Sequence, residues 1–457
     1  MAITFGETFK KVQECFYEPA IESKLTQNLE SITIIRDVYG AIRLFLEPVK
    51  SFQPQQADIN KLDTYLFQKL GSYYGKDIWL PQGEQDGYKS LIKVIIEERI
   101  PAEWDDDTIS PRWYVLERHI AKQAWTNKSS GNPPWTQELV DQGYKPAVVT
   151  FFSFKGGVGR TTALVATALT LARYGHRVAI VDLDLEAPGL STIFSDSLDN
   201  VGVLDYLLEK KIQQNQWSLN THLVAINEQL LLGDSGEALR LLPAGNVDNN
   251  YLEKLARLDF QNLVDRQLPE TLRGMLRELE SAAKPLDFIL LDARAGFHDI
   301  GGLAIADLSH AAVIFGTQSR QSWAGLTYVI RRLSRPLAPG PLPVVMIHAM
   351  APPLNALGRS LELASFRRTS YDIFKQYYYS KDKTVPNENA LNEAFIPVVI
   401  SFQDELRGDI ALFSRDESLE EISRVSGLIN VMTNTPYPNI AERICRLFGR
   451  ELKITRG

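Results

Sequence analysis

The chain has 457 residues, of which 44% are hydrophobic and 23% are charged. This composition is typical of a globular protein with two or three domains. The net charge of −7 excludes a globally basic nucleic-acid binder. Two cysteines allow no disulfide framework or cysteine metal set, and neither a signal-peptide core nor an apolar run of membrane-spanning length is present. We therefore expect a cytoplasmic protein.

The first 125 residues predict a small α+β domain of unknown role. A hairpin is expected in the segment SITIIRDVYGAIRLFLEP, with Gly40 in its turn. The other expected elements are helices over residues 5–25 and 60–70 and strands over 77–80 and 112–120. The carboxylates at 105–107 predict a solvated acidic loop, with a metal site as the alternative.

A linker is predicted over residues 126–145, because NKSSGNPP (127–134) is rich in turn-forming residues. From residue 146 onward, apolar runs alternate with helical patterns. That alternation predicts a doubly wound α/β domain over 146–457, with a mostly parallel sheet covered by helices on both faces.

A phosphate-binding loop is predicted directly after the first of these strands, AVVTFFSF (147–154). The turn Lys155-Gly156-Gly157-Val158-Gly159-Arg160 is followed by Thr161 and Thr162, which open an alanine-rich helix. Glycines let successive amides point into one concavity, and a helix start adds positive potential there. A hydroxyl at the helix start can bind Mg²⁺. The alternative is a glycine-rich turn that holds no ligand.

The loop departs from G-x-x-x-x-G-K-[ST], since Phe154 replaces the first glycine and Arg160 replaces the lysine. It resembles the deviant loop K-G-G-x-G-K-[ST] of the ParA/MinD (SIMIBI class) ATPases, and in particular their KGGVGR variant subgroup. This resemblance implies that the loop amides and Arg160 hold ATP phosphates and that Thr161 binds Mg²⁺. It also implies that Lys155 reaches across a dimer to the partner's nucleotide.

Two acidic strand ends are expected near this loop. Asp182 and Asp184 follow the apolar run at 178–181, and Asp292 ends the run that begins at 286. The resemblance implies that Asp182 and Asp292 serve the metal and that Asp184 orients the attacking water. In the segment DARAG (292–296), the resemblance gives the glycine amide the task of sensing the γ-phosphate. Arg294 is either an arginine finger or a salt-bridge partner.

The base-binding edge is expected at the later strands. The apolar runs at 311–316, 342–349 and 397–402 predict strands, and the resemblance places Phe402 beside the base. His348 stands near the position where the family often has an asparagine that reads adenine. No N-K-x-D or T-K-x-D motif follows a strand in this half, so guanine readout lacks support and ATP is preferred.

Further helices are expected over 203–211, 251–258, 263–281 and 322–333, and a strand over 239–242. An amphipathic helix over 439–452 is expected to pack on the sheet, and peripheral membrane contact is the less favoured alternative. Arg331, Arg332 and Arg335 are expected to form a solvated helix end. Nonspecific DNA binding through them is the alternative, which the net charge does not support.

Three functions remain open. The first is a nucleotide-dependent homodimerisation switch with slow Mg²⁺-dependent ATP hydrolysis, which regulates an unidentified protein partner in a bacterial multi-gene system that the resemblance associates with conflict or defence. The second is a non-catalytic nucleotide-sensing scaffold whose N-terminal domain recruits a partner. The third is a kinase, which is disfavoured because the tail RELKITRG contains no tyrosine.

Overall fold

The computed structural model describes eleven stretches of the chain, which are residues 3–81, 86–119, 121–127, 130–196, 201–213, 218–234, 236–265, 267–281, 285–335, 340–379 and 385–452. The chain divides into two compact units, Met1–Ile120 and Ala121–Gly457.

The first unit contains a five-stranded mixed sheet in the order β3-β2-β1-β5-β4. Its strands are β1 (Leu29–Arg36), β2 (Ile42–Pro48), β3 (Tyr74–Trp79), β4 (Ile100–Pro101) and β5 (Arg112–Glu117). Its helices are α1 (Thr8–Phe16), α2 (Pro19–Glu22), α3 (Gln56–Leu70) and α4 (Asp86–Glu98), with short 3-10 turns at Phe5–Glu7, Thr26–Asn28 and Gly71–Tyr73. This α+β arrangement is the one that the sequence predicted.

Three features of the first unit test the sequence predictions directly. The hairpin is confirmed, since β1 and β2 are antiparallel and Gly40 has a φ of +87° in the connection. The single helix expected over 5–25 is wrong, because Pro19 lacks the amide needed for a helix interior and starts a separate helix. The acidic loop is less solvated than expected, since the Asp105 carboxylate accepts hydrogen bonds from the Arg112 side chain and the Trp113 amide.

The second unit is built on an eight-stranded sheet in the order β13-β12-β11-β6-β10-β7-β9-β8. Its strands are β6 (Ala147–Ser153), β7 (Val178–Leu183), β8 (Val224–Ile226), β9 (Leu239–Leu242), β10 (Phe288–Ala293), β11 (Ala311–Gly316), β12 (Val344–Ala351) and β13 (Val398–Ser401). All neighbouring pairs are parallel except β8 and β9. Every residue of β6, β7, β10 and β11 is buried, as the apolar runs predicted.

Helices cover this sheet and complete the α/β architecture. They are α5 (Gln123–Thr126), α6 (Gln137–Asp141), α7 (Arg160–Arg173), α8 (Leu190–Phe194), α9 (Val203–Gln213), α10 (Gln229–Leu232), α11 (Asn249–Asp265), α12 (Leu268–Ser281), α13 (Asp299–Leu303), α14 (Arg320–Leu333), α15 (Arg359–Tyr377), α16 (Leu419–Thr433) and α17 (Tyr437–Leu447). A π-helical turn, Ala304–Leu308, continues α13, and 3-10 turns lie at Leu219–Thr221 and Asp404–Leu406.

The linker expected over 126–145 is different in the structure, where its described residues belong to the second unit. Trp135 is 8% exposed, and its indole N–H donates to the carbonyl of Pro146 at 2.7 Å. A Cβ atom on Gly131 would lie 2.4 Å from the carbonyl oxygen of Ala306. Turn-forming composition therefore marks irregular backbone here, but that backbone is packed.

The C-terminal amphipathic helix packs within the second unit, as expected. Ile440 and Ile444 on α17 are fully buried, and Phe448, just beyond its end, is 4% exposed. Within the described ranges, no helix is both long and apolar enough to cross a membrane.

We expect His310 to make the stability of the second unit sensitive to acid. It is 2% exposed, its Nδ1 accepts from the Val148 amide, and its Nε2 lies 3.0 Å from the Trp135 carbonyl. Burial lowers the pKa of His310 to about 4, although the bond to Trp135 opposes the shift. Below about pH 6.5, the ordinary pKa of histidine, His310 is protonated in the unfolded chain but stays neutral in the folded chain. The free energy of unfolding therefore falls as the pH falls.

We predict that the free energy of unfolding falls by about 3 kcal/mol on this account between roughly pH 6.5 and 4, since each pKa unit is worth about 1.4 kcal/mol. His310→Gln, which retains one donor and one acceptor, should remove that part of the dependence. Urea denaturation across the pH range measures it. Burial also lowers the pKa of His348 to about 4, so some acid sensitivity should survive. An unchanged slope in the variant would contradict the prediction.

Candidate functional site

The predicted phosphate loop joins β6 to α7 at the carboxyl edge of the sheet. Gly157 and Gly159 have φ values of +72° and +77°, which side-chain-bearing residues rarely adopt. A Cβ atom added to Gly156, Gly157 or Gly159 would meet nothing within 4 Å. Gly157 and Gly159 are therefore required by backbone conformation, and the space before the start of α7 is open. Val158, by contrast, is 9% exposed and packs into the hydrophobic core.

Phe154 stands where the usual phosphate-loop motif has its first glycine. Its side chain packs against neighbouring elements. Its ring packs on Phe297, with a centroid distance of 5.1 Å. A Cβ atom on Gly325 of α14 would lie 2.2 Å from the Phe154 ring. The aromatic side chain thus points towards α14, and the glycine that permits this close approach stands on the helix.

Two residues at the start of α7 bind the acidic strand ends. The Thr161 hydroxyl donates to Asp292 Oδ2 at 2.6 Å. Arg160 donates from Nε to Asp292 Oδ1 at 2.6 Å and from Nη2 to Asp184 Oδ2 at 3.1 Å. The structure therefore brings together four of the residues that the sequence selected from three separate segments. Thr162 follows them on the same helix.

Arg160 compensates the charge of the two carboxylates. Burial by itself would lower the pKa of Arg160, but attraction to Asp292 and Asp184 raises it. Burial likewise raises the pKa of Asp292, and the ion pair with Arg160 opposes that rise. Asp184 is 8% exposed, and its Oδ1 atom is buried without a hydrogen-bond partner in the structure. Such an atom is expected to have a ligand or a water molecule as its partner.

Asp182 differs from Asp184 in its surroundings. It is fully buried. Its Oδ1 accepts from the Asp184 amide at 3.0 Å, and its Oδ2 accepts from the amides of Gly189 and Leu190 at 3.1 Å. Burial and the nearby charge of Asp292 raise the pKa of Asp182 to about 7. Its contacts hold the turn that follows β7.

The loop that follows β10, residues 294–298, is called the switch loop below. Gly296 has a φ of +80°, and its amide donates to the Ser153 carbonyl at 3.1 Å. Arg294 and His298 both pair with Glu186 in the loop after β7. Of the two roles considered for Arg294, the structure therefore displays the salt bridge. Glu186 was not selected from the sequence, although it stands within the acidic segment DLDLEAPG.

Lys155 is exposed at the outer side of the phosphate loop. Its ammonium lies 5.9 Å from the centroid of the Phe154 ring. In the described part of the chain, the Lys155 side chain has no hydrogen bond and no ion pair with a carboxylate. The ammonium is therefore available to a group outside this chain.

The later strands place His348 and Phe402 differently. His348 is fully buried and stacks on Phe366 with a centroid distance of 4.0 Å. Its Nε2 lies 3.3 Å from Glu362, but neither ring nitrogen has a hydrogen bond. Phe402 is 36% exposed just beyond β13, and its amide donates to Ala351 at the end of β12. Phe402, which we expected beside the base, therefore has a partly exposed ring.

The arginines considered for DNA do not form a solvated helix end. Arg332 is 8% exposed, and its Nε donates to the Ala124 carbonyl at 2.6 Å. Burial lowers the pKa of Arg335. Only Arg331 of the three is exposed. The spacing of these arginines on the chain did not reveal that α14 presents Arg332 to a neighbouring segment.

No group of three or more His, Cys, Asp or Glu side chains could hold a metal ion among the residues that the structure describes. Mg²⁺ at a nucleotide needs only one or two carboxylates, because phosphates and water supply its other ligands. Thr161 and Asp292, together with the unpaired Asp184 oxygen, suit that donor set.

Part of the chain is similar in sequence to known proteins. Residues 146–335 match a family model described as "AAA domain". The chain is 26% identical over 168 residues to a MinD-type septum site-determining protein of Chlorella vulgaris, covering 36% of this chain and 49% of that protein. It is 34% identical over 136 residues to the chloroplastic minD homolog of Arabidopsis thaliana, covering 26% and 41%. The chain thus spans less than half the length of these relatives.

Among solved structures, the septum site-determining protein MinD of Pyrococcus horikoshii OT3, complexed with Mg-ADP, is 19% identical with a TM-score of 0.41, covering 66% of this chain and 98% of that one. The pNOB8 ParA structure is 18% identical with a TM-score of 0.42, covering 66% and 99%. From the family match, the curated relatives and the geometry of the loop, residues 146–335 form a ParA/MinD-like P-loop NTPase domain.

Proposed function

We propose that this protein binds ATP with Mg²⁺, dimerises in the ATP state and hydrolyses ATP slowly. The observation that carries the proposal is the hydrogen bond between Thr161 and Asp292 beneath an open glycine loop. It joins the helix start to the second acidic strand, and phosphate-loop enzymes use that pair of elements to hold Mg²⁺ beside the outer phosphates.

The residues at this site suit distinct tasks. The amides of Gly156 to Gly159 would bind the phosphate oxygens, assisted by the positive end of α7. Thr161 and Asp292 would hold Mg²⁺, which neutralises the charge that develops on the outer phosphates. Asp184 would orient water through its unpaired Oδ1. The sequence predicted a metal role for Asp182, whereas its three backbone bonds favour a role in holding the turn.

Arg160 would have to exchange partners when nucleotide binds. Its guanidinium now pairs with Asp184 and Asp292. Phosphate oxygens would compete for the same donors, and Mg²⁺ would compete for the same carboxylates. A guanidinium is larger than the lysine ammonium of the resembling loops and forms two directed bonds. Slow turnover is therefore expected.

The dimer is proposed from Lys155, whose exposed side chain has no hydrogen-bond or ion-pair partner among the described residues. In this arrangement the lysine of one copy would meet the phosphates bound to a second copy. Phe402 would border the base, and ATP is the proposed nucleotide. We further propose that the protein regulates an unidentified protein partner in a bacterial multi-gene or defence system. We place this activity in the cytoplasm.

We predict that the solution mass doubles with ATP·Mg²⁺, remains unchanged with ADP, and that Lys155→Ala abolishes the doubling. The reason is that the mutation removes the only charge proposed to bridge the copies. Light scattering after size exclusion measures the mass. Lys145→Ala is the matched control, because Lys145 precedes β6 and pairs with Glu280, whereas Lys155 follows β6. A mass that is indifferent to nucleotide in wild type would reject the dimerisation switch.

A second function, the non-catalytic nucleotide-sensing scaffold, is favoured by one observation. Arg160 occupies both carboxylates that hydrolysis needs. If Arg160 kept its bonds to both carboxylates with nucleotide bound, the protein would bind ATP without turnover. Its first unit would then recruit a partner. Phosphate release by protein with saturating ATP separates the two functions, because the scaffold would release none above background.

A further inference from the structure

The first helix of the second unit, α5, lies directly on the switch loop. The indole N–H of Trp125, on α5, donates to the carbonyl of His298 at 2.7 Å. The Trp125 ring packs on Phe297 at a centroid distance of 5.2 Å and on Phe152 of β6 at 5.3 Å. One side chain therefore contacts both the switch loop and the strand that carries the phosphate loop.

Lys122, the residue just before α5, makes a second contact with the start of α13. Its backbone amide donates to Asp299 Oδ1, and its ammonium pairs with Asp299 Oδ2 at 2.9 Å. Lys122 has a φ of +63°, a conformation that is unfavourable for a residue with a long side chain. The two bonds to Asp299 offset that strain. The bend at Lys122 thus accompanies the packing of α5 against the start of α13.

The close fit continues along α13 and α14. A Cβ atom on Gly302 would lie 2.6 Å from the Trp125 indole nitrogen. The carbonyl of Ala124 accepts from Arg332 of α14. The π-helical turn Ala304–Leu308 directly follows α13, and such turns often occur at functional sites. The segment is therefore held from several sides by elements that adjoin the nucleotide site.

These contacts fall one to three residues after Gly296, whose amide would meet the γ-phosphate if the resemblance to the ParA/MinD loops holds. Gly296 now donates to Ser153, so its amide must leave that carbonyl in order to reach a phosphate. His298 and Asp299 are joined to it by a short run of backbone, and His298 is also tied to Glu186. A rearrangement at Gly296 would therefore strain the bonds to Trp125 and Lys122.

We infer that Trp125 and Lys122 are positioning residues of the switch loop, and that the loop transmits the presence of the γ-phosphate to α5. The inference rests on the proposed function. Its consequence is a covalent route from the nucleotide site to the first unit, since α5 begins three residues after that unit ends. Binding of ATP would thereby change how the first residues of the second unit are held.

The first test uses protein labelled with 5-fluorotryptophan. The Trp125 resonance is assigned by its absence in Trp125→Phe, and fluorine NMR spectra are recorded with no nucleotide, with ADP and with a non-hydrolysable ATP analogue. Calorimetry on the same samples establishes saturation. We expect the Trp125 resonance to move between the ADP and the analogue states. The resonance of Trp135, which bonds Pro146 and stacks on His310, should not move.

The second test separates positioning from general stability. Lys122→Asp replaces the ion pair with Asp299 by two like charges, so it should lower kcat by at least about fivefold, the effect of one lost hydrogen bond, with little change in KM for ATP. The double variant Lys122→Asp with Asp299→Lys reverses the ion pair and should recover part of that loss. This pair also serves if Trp125→Phe fails to fold.

The outcomes distinguish the two levels of the argument. A Trp125 resonance that is identical in saturating ADP and ATP analogue would overturn this inference and leave the proposed function intact. Absence of saturable nucleotide binding would overturn both. A charge reversal that recovers thermal stability but no kcat would show that the contact is merely structural.

Discussion

Replacing Asp184 with asparagine should reduce ATP turnover by about 10²- to 10⁴-fold, the usual contribution of a residue that accepts or orients a proton. Asp184 is nearly buried, its Oδ1 has no hydrogen-bond partner, and its Oδ2 accepts from Arg160. Asparagine has almost the same shape but cannot hold a water proton as a carboxylate does. Phosphate release at saturating ATP measures turnover, and calorimetry should show that nucleotide binding persists.

Asp287→Asn is the control for this experiment. Asp287 directly precedes β10, so it lies at the opposite end of that strand from Asp292. It also pairs with an arginine, Arg177. Its replacement should affect stability and leave turnover unchanged. Loss of activity in both variants would indicate a general effect of removing a carboxylate. Full activity in Asp184→Asn would remove this residue from the mechanism and strengthen the scaffold alternative.

Arg160→Met should destabilise the nucleotide-free protein by about 3–5 kcal/mol, because removing one partner of a buried ion pair leaves uncompensated charge. The Arg160 side chain is 10% exposed, and those of Asp184 and Asp292 are 12% and 2% exposed. Methionine retains much of the side-chain volume, so the loss would report charge rather than packing. Urea denaturation near neutral pH, without nucleotide or divalent cation, measures it.

Two comparisons sharpen that result. Arg160→Lys retains the charge but not the two directed bonds, so its loss should be smaller than that of methionine. Arg415→Met, which removes an exposed pair with Asp409, should change stability little, because exposed pairs contribute little. Equal stability of Arg160→Met and wild type would mean that the two carboxylates are not both ionised in the folded protein.

Helices α15 and α16 were not predicted from the sequence. Helix α15 has 19 residues, of which only Phe366, Ser370 and Phe374 are buried, so its pattern offers little periodicity. Helix α16 was missed too, although it buries four apolar residues. In contrast, the strands at the centre of the sheet are buried on both faces, and each appears in the sequence as an unbroken apolar run.

Local sequence was sufficient to predict the glycine-rich loop, the strands that precede the acidic residues, and the start of the next helix to within one residue, since we placed it at Thr161 and α7 begins at Arg160. These features depend on neighbours along the chain, through glycine conformation and continuous apolar runs. The tertiary structure alone decided that Arg160 binds Asp292, 132 residues away, and that Trp125 covers the switch loop. Such contacts follow from the order β6-β10-β7 in the sheet, which depends on how whole elements pack.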